Sequence, residues 1–342
     1  LGALPGVSAA AHTGVILSGV TPNMVFNNVT NFNGNVATTI SGSLGTPIMS
    51  MRPDILGDTS LTGNGTGFVT QDNLGTGFRL LAASEYQTLP IPSNQNTGTG
   101  SLANFLTSGT SSIFGDTRIQ SLTMNAGTTI NGTGLMPYTA FGNRLTITSN
   151  GLLARAGGTS TINVNVLDRP NNQGFYFHTL GDAVLNVNAL LNSNNGFVKS
   201  GTGTLNLLTA GSVNNVSGSG SDGAGGLIVI NDGTLNLGAG NVFPLSAPTP
   251  GALPADTSFY TGQNLLVNGG TFNLGGNSQT FNSFNSNSPL PGMGGILTSP
   301  TAATVTIQGG GVFSGSVSGA IALNKTGNTT FTITSANAYS GT

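Results

Sequence analysis

The chain has 342 residues, of which 5% are charged and 37% hydrophobic, and its formal net charge is −2. Such sparse, scattered charge argues against a nucleic-acid partner, which requires a basic stripe to neutralise phosphates, and against electrostatic attachment to anionic lipid. No apolar run approaches the ~18–20 residues of a membrane-spanning helix.

Glycine accounts for 54 residues, roughly twice its usual share, and cysteine is absent. The hydrophobic residues lie in alternating runs, so the chain can bury enough apolar surface to offset its ordering entropy. A secreted chain without disulfides requires another source of stability, and a long hydrogen-bonded β-stack supplies one. We therefore predict a folded chain made of strands and turns, and the absence of cysteine suits an extracellular protein.

Residues 1–100 form a less regular β region, which we predict to be the first coils of the same solenoid as the rest of the chain. The run "TPNMVFNNVTNF" at 21–32 is a candidate strand pair. The best helix candidate is "GFRLLAASEYQTL" at 77–89, but it is short and is followed by "PIP". We predict one helical turn or a loop there.

Residues 101–342 alternate apolar and polar side chains with the period of a β-strand. In "AVLNVNALL" (183–191), for example, Leu185 and Val187 point to one side and Asn186 and Asn188 to the other. A phrase of Gly-Thr-hydrophobe-Asn-hydrophobe also recurs about every thirty residues, at 203–207, 233–237 and 270–274.

Strand–turn units of roughly 20–30 residues that repeat along a chain are typical of a solenoid. A two-sheet sandwich would show similar alternation, but it does not require the same phrase at corresponding places. We therefore predict an all-β fold, a right-handed parallel β-helix with loop insertions. The proline-rich stretch 243–260 and the shorter 287–295 are predicted to bulge from the coils and to offer contact surfaces, the first above all.

Two segments resemble the autotransporter-associated β-strand repeat. "FVKSGTGTLNL" (197–207) is followed by "GLIVINDGTLNLG" (226–238), and in a second copy Lys325-Thr326-Gly327 matches Lys199-Ser200-Gly201. The resemblance covers roughly residues 100–342. It implies a β-helical passenger that is exported and displayed on the surface of a Gram-negative-type cell, in an adhesive or architectural role and without catalytic residues.

Carbohydrate-active β-helix enzymes are the rival class, and hydrolysis of a glycosidic bond requires two carboxyls about 5–9.5 Å apart. Asp54 and Asp58 are neighbours in "RPDILGDT", and Asp168 precedes Arg169 in "LDRP". The alternative is that each acid satisfies a turn or pairs with its neighbouring arginine, and we expect this simpler role.

His178 and Asp182 could form a general base with its orienting carboxylate, or a packing contact and a turn. Asp222 in "GSGSDGAGG" faintly matches a calcium-binding repeat, but a single copy is more typical of a flexible loop. "GNGTG" (63–67) lacks the helix that a phosphate loop requires. We predict no catalytic, cofactor or metal site.

Lys199 and Lys325 are the only lysines and share a repeat position, which we interpret as marking a turn. The second repeat copy stops after "NAYSGT", so we expect its last coil to require more of its own chain or the first coil of a neighbour. The chain contains five Asn-x-Ser/Thr sequons, which begin at Asn28, Asn64, Asn131, Asn215 and Asn328. Because the chain is rich in Asn and Thr, we attribute them to chance.

The combined expectation is a non-enzymatic extracellular β-solenoid that builds a surface fibre or layer by end-to-end stacking. Its partner would be a second copy of itself in a head-to-tail homopolymer. A surface adhesin that binds polysaccharide or neighbouring cells, and a carbohydrate-active enzyme, are the alternatives.

Overall fold

The computed structural model describes residues 15–18, 45–59, 65–71, 78–88, 103–133, 143–169, 174–193, 196–210, 227–240, 242–243, 263–287 and 290–341. Strands dominate these residues, and their only helical element is a 3-10 turn at Ala83–Glu85. The prediction of one helical turn near 77–89 is thus confirmed. Asp222, the candidate strand pair at 21–32 and most of the stretch 243–260 lie outside the described residues.

The first four strands form a separate mixed sheet, which we name the flanking sheet. Its strands are β1 (Val15–Ser18), β2 (Arg52–Asp58), β3 (Gly67–Gln71) and β4 (Phe78–Leu80). β1 and β2 run parallel, whereas β2–β3 and β3–β4 are antiparallel. Of the described residues before 100, these four strands thus lie outside the coils, whereas Gln87–Thr88 pairs with the large parallel sheet. The connection at 59–66 is shorter than the dozen or so residues that a parallel crossover requires.

Twenty-three further strands follow along the chain. They are β5 (Gln87–Thr88), β6 (Asn104–Thr107), β7 (Thr110–Ile113), β8 (Asp116–Ile119), β9 (Ser121–Met124), β10 (Thr129–Gly132), β11 (Arg144–Ile147), β12 (Gly151–Ala154), β13 (Thr159–Asp168), β14 (Phe175–Thr179), β15 (Val184–Leu191), β16 (Gly196–Ser200), β17 (Thr204–Leu207), β18 (Leu227–Ile230), β19 (Thr234–Leu237), β20 (Gln263–Val267), β21 (Thr271–Asn273), β22 (Gln279–Asn285), β23 (Ile296–Ile307), β24 (Gly311–Phe313), β25 (Ser316–Lys325), β26 (Phe331–Ile333) and β27 (Ala338–Tyr339).

These strands stack in parallel along three ladders, which we name faces A, B and C. Face A contains β5, β6, β9, β12, β14, β16, β18, β20, the end of β22, β24 and β26. Face B contains β7, β10, the first halves of β13 and β15, β17, β19, β21, the first halves of β23 and β25, and β27. Face C contains β8, β11, the second halves of β13 and β15, the start of β22, and the second halves of β23 and β25. The predicted all-β parallel β-helix is confirmed.

The repeated phrase of the sequence stacks on itself in register on face B. Leu205 pairs with Leu235, and Leu235 with Phe272, so each recurrence is one rung of the helix. Leu205 and Leu235 are fully buried, whereas Thr204, the first residue of β17, is partly exposed. The alternating pattern therefore sorts aliphatic side chains inward and polar ones outward.

One continuous apolar core runs through the rungs, from Ala103 to Ile321. Part of it is a row of phenylalanine rings, with centroids 5.4 to 6.3 Å apart from one ring to the next. Its members are Phe175, Phe177, Phe197, Phe243, Phe272 and Phe281. Phe243 brings the first residue of the proline-rich stretch 243–260 into this core.

Face A departs from simple alternation because its strands are buried on both sides. All four residues of β9 and of β12 are buried. The flanking sheet covers the outer side of the first rungs, where Leu56 and Phe68 pack in one cluster with Leu153 and Leu180. On later rungs Val198, Val229 and Leu266 form a separate buried cluster. Continuous apolar runs such as "LIVI" at 227–230 are the sequence sign of such doubly buried strands.

The two ends of the helix differ. At the N-terminal end the inward side chains of Phe105, Ile113 and Ile119 have at most 1% of their surface exposed, and the main chain at 45–51 hydrogen-bonds to the start of β6. At the last rung the inward residues Leu323, Phe331 and Ile333 are only partly buried. The predicted bulge at 287–295 has exposed Leu290 and Met293 at its tip.

Candidate functional site

The carboxylates of Asp54 and Asp58 lie on one strand, β2, but serve separate local contacts. Asp54 accepts two hydrogen bonds from the Arg52 guanidinium, of 2.8 and 2.6 Å. Asp58 accepts one of 3.0 Å from the backbone N–H of Gly65. Four residues of strand separate the two acids by about 13 Å, beyond the span of a hydrolytic pair. The simpler expectation for both is confirmed.

Asp168 and Arg169 do not form the neighbouring pair that the sequence suggested. The Asp168 carboxylate instead accepts a 2.6 Å hydrogen bond from the Asn192 amide and lies 3.4 Å from the Arg144 guanidinium, which also approaches Asp116 at 3.8 Å. These groups lie on successive rungs of face C, so the ladder brings them together.

Arg169 is buried, and its Nε and Nη1 atoms have no hydrogen-bond partner. Burial lowers the pKa of Arg169 to about 10, opposed by the nearby Asp168 charge. Arg169 directly follows Asp168, the last residue of β13.

His178 does not contact Asp182. Its Nδ1 lies 2.6 Å from the Ser200 hydroxyl and its Nε2 lies 2.7 Å from the Pro53 carbonyl. Because a carbonyl can only accept, Nε2 carries the proton and Nδ1 accepts from Ser200. Asp182 caps a turn, accepting a 2.6 Å bond from Gly157 N–H. The proposed base and orienting carboxylate are therefore not assembled.

The His178 ring instead fastens the flanking sheet to face A. It is 1% exposed and meets the Phe68 ring edge-on, with ring centroids 5.9 Å apart. Burial lowers the pKa of His178 to about 4, so the neutral ring predominates near neutral pH. The ring thus makes a packing contact, which is the second of the two interpretations open from the sequence.

Lys199 is the most unusual buried group, because its ammonium is held by three backbone carbonyls. Its Nζ donates to Ser200 and Gly201 of its own turn, at 3.2 and 2.6 Å, and to Asp232 on the next rung at 2.9 Å. Burial lowers the pKa of Lys199 to about 7 and the Asp232 charge opposes this. The lysine closes a turn, as the sequence predicted, and it also joins two rungs.

Lys325 makes the same local turn at a different corner. Its ammonium donates to the carbonyls of Thr326 and Gly327, and to Gln308 on the preceding rung at 3.4 Å. However, Lys325 ends the face C part of β25, whereas Lys199 lies on face A. The matching Lys-Ser/Thr-Gly letters thus specify a carbonyl-binding turn, which the helix uses at more than one corner.

The remaining candidates add no site. Among the described residues, no three acidic or histidine side chains are grouped so that they could hold a metal ion. Within the described part of the chain, no helix has the length and apolar character to cross a membrane.

Two of the five sequons fall on residues that the structure describes. Asn131 accepts a hydrogen bond from Asn163 on face B, and Asn328 lies in an exposed turn. Asn28, Asn64 and Asn215 lie outside the described residues.

Comparison with known proteins adds no relative: neither a family model, nor a curated protein, nor a solved structure matches this chain.

Proposed function

We propose that this chain is a non-catalytic structural β-helix displayed outside the cell, where subunits join end to end into a fibre or layer. The observation that carries the proposal is the arrangement of the two ends. Two further observations support a mechanical role. One continuous core runs through the rungs. The described acids pair with arginines or with turns and do not converge on a cleft.

Each end presents one strand edge per face. In the described residues, β5, β7 and β8 pair on one side only, and they are the first strands of faces A, B and C. At the other end β26, β27 and the second half of β25 likewise pair on one side only, on faces A, B and C. Unpaired edges are templates for strand pairing with another chain.

The two ends of the helix would contribute differently to an end-to-end contact between subunits. Phe331 and Ile333 of the last rung become buried when another rung covers them. This burial stabilises the contact by about 25 cal/mol for each Å² of apolar surface removed from water. Inward residues of the first strands, such as Ile113, are already buried. The N-terminal end therefore contributes backbone pairing along β7 and β8, and the last rung supplies the apolar surface. Such a contact joins unlike surfaces and extends into a filament unless rotation closes a ring.

A surface adhesin is the second candidate function, favoured by one observation. Leu290 and Met293 at the tip of the predicted contact loop have 62% and 60% of their surface exposed. Exposed apolar side chains on a loop carried by a rigid scaffold are typical of a binding surface. An adhesin would bind glycan or a neighbouring cell as a single subunit.

The experiment is imaging and sedimentation of the full chain with a paired set of variants at Tyr339. Ser340 N–H donates back to Gly319, so in a parallel ladder the Tyr339 N–H points to the open side. Tyr339→Pro removes that donor, and Tyr339→Ala keeps it while removing the exposed ring. We expect filaments of uniform width for the unmodified chain and Tyr339→Ala, and at least tenfold weaker assembly for Tyr339→Pro. Isolated monomers at every concentration of the unmodified chain would overturn the proposal.

A further inference from the structure

The outer surface of face B carries no charged residue on any of its described strands. Its side chains stand in register from rung to rung over ten strands. The middle row contains Thr110, Thr129, Thr161, Asn186, Asn206, Asn236, Asn273, Thr298, Ser318 and Ala338. Every member of this row is partly or largely exposed, so the row lies at the surface of the protein.

Amide groups in this row already hydrogen-bond to one another along the helix. Asn206 donates to Asn186 at 2.7 Å, and Asn236 donates to Asn206 at 2.8 Å. A neighbouring row repeats the pattern, with Asn163 donating to Asn131 at 3.0 Å. Because part of the hydrogen-bonding capacity is satisfied within the ladder, removing water from this surface costs less than it would for isolated amides.

The other two faces carry features that oppose sheet-to-sheet packing. On face A the flanking sheet covers the outer side of the first rungs, through contacts such as Phe68 with Leu153, and further along Val198, Val229 and Leu266 are at most 8% exposed. Face C carries Asp116, Arg118 and Arg144 on its strands, and charges on a sheet disfavour association with another sheet because they must be dehydrated. Face B is the one face with neither a cover nor a charge on its described strands.

We propose that face B is a lateral interface at which two copies of this chain pack face to face, related by a two-fold axis. Ten rungs about 4.8 Å apart span about 43 Å, and four residues of about 3.3 Å span about 13 Å, which gives roughly 560 Å² per copy, or about 1,100 Å² in total. That area exceeds the ~1,000 Å² expected of a specific interface. Rows of small Asn and Thr side chains suit the close interdigitation of stacked sheets. The interface shares only its first and last strands, β7 and β27, with the end contacts, and the face B residues of its eight inner strands take no part in them.

A lysine in the middle of face B tests this interface. Thr234 is half-exposed and pairs in register with Thr204 and Thr271. In Thr234→Lys, two like charges meet near the two-fold axis and are dehydrated, so we expect the dimer dissociation constant to rise at least tenfold. Thr306→Lys is the matched control, because Thr306 is half-exposed on face C, and we expect it to leave dimerisation unchanged.

Sedimentation equilibrium over a concentration series measures the association, and circular dichroism checks that each variant keeps its strands. The same measurement with Tyr339→Pro separates this interface from the end contact, since the lateral dimer persists when filament growth is weakened. Equal dissociation constants for Thr234→Lys and Thr306→Lys would overturn the proposal. So would a Tyr339→Pro chain that stays monomeric at all concentrations.

Discussion

The ammonium of Lys199 donates a 2.9 Å hydrogen bond to the backbone carbonyl of Asp232, which lies one rung further along the helix. Two more carbonyls of its own turn complete the shell around this buried charge. A lysine that the sequence marks only as part of a turn therefore joins neighbouring rungs, and its removal leaves three backbone carbonyls without that donor.

Replacing this lysine is expected to destabilise the fold. Lys199→Met keeps the apolar stem but removes the donor, and we expect the free energy of unfolding to fall by about 1–3 kcal/mol. Lys325→Met is the matched control, because that ammonium is exposed at its turn and water replaces it. Denaturant unfolding measures both variants. Equal losses for the two would contradict a special role for the buried ammonium.

His178 is expected to make the fold less stable in mild acid. Its pKa is lowered by burial to about 4 in the folded chain, against 6.5 for an ordinary histidine. Above pH 6.5 the ring is neutral in both states. As pH falls from 6.5 towards 4, the unfolded chain binds a proton that the folded chain refuses, so stability is lost.

The size of this loss distinguishes the wild-type chain from His178→Gln. Between about pH 7 and about pH 5 we expect the wild type to lose about 2 kcal/mol more than the variant, which cannot take up this proton. Unfolding in denaturant at several pH values measures both slopes. Identical slopes would show that the folded ring titrates normally and is not held neutral between Pro53 and Ser200.

Two glycines with similar backbone angles are expected to differ strongly in their tolerance of alanine. Gly127 has φ of +73° and nothing near the position that a methyl group would take, so Gly127→Ala costs about 1–2 kcal/mol through its backbone alone. Gly233 has φ of +67°, and an added Cβ would collide with the Gly203 carbonyl and lie 2.7 Å from the Lys199 ammonium. Overpacking adds about 1–3 kcal/mol to Gly233→Ala. Thermal unfolding measures the midpoint temperature of both variants. Similar midpoints would contradict close contact between the rungs at Gly233.

Phe243 is expected to be a main support of the core, although it opens a proline-rich stretch. Its ring centroid lies 6.1 to 6.3 Å from those of Phe197, Phe272 and Phe281. Phe243→Ala should therefore lower the free energy of unfolding by about 3–5 kcal/mol. Phe114→Ala serves as the control, since Phe114 is 36% exposed and should have a much smaller effect. A small loss at Phe243 would place its ring outside the core.

The sequence predicted the helical winding because Leu205, Leu235 and Phe272 recur in one phrase, and a repeated phrase requires a repeated environment. It did not predict the double burial of β12 on face A, although "GLLA" lacks alternation, because the covering strand β2 lies far away in the chain. Period and propensity are local properties, whereas a covering sheet is a long-range one.

The contact partners of the candidate site residues were harder to predict from the sequence than the fold. His178 and Asp182 are close in sequence, but the bend after β14 directs one side chain to Pro53 and the other to a turn at Gly157. The partner of Asp168 proved to be Arg144 on the adjacent rung and not the next residue. In a stacked fold, neighbours one rung away contact each other more often than neighbours in sequence, and only the register reveals them.

Backbone hydrogen bonds between parallel strands lie along the direction in which the rungs stack. Tension applied along this direction therefore loads these hydrogen bonds in series. A rung of about twenty residues contains roughly 70 Å of extended chain. Each rung released would thus lengthen the chain by up to that distance while the other rungs stay wound, so we expect extension under load to proceed one rung at a time.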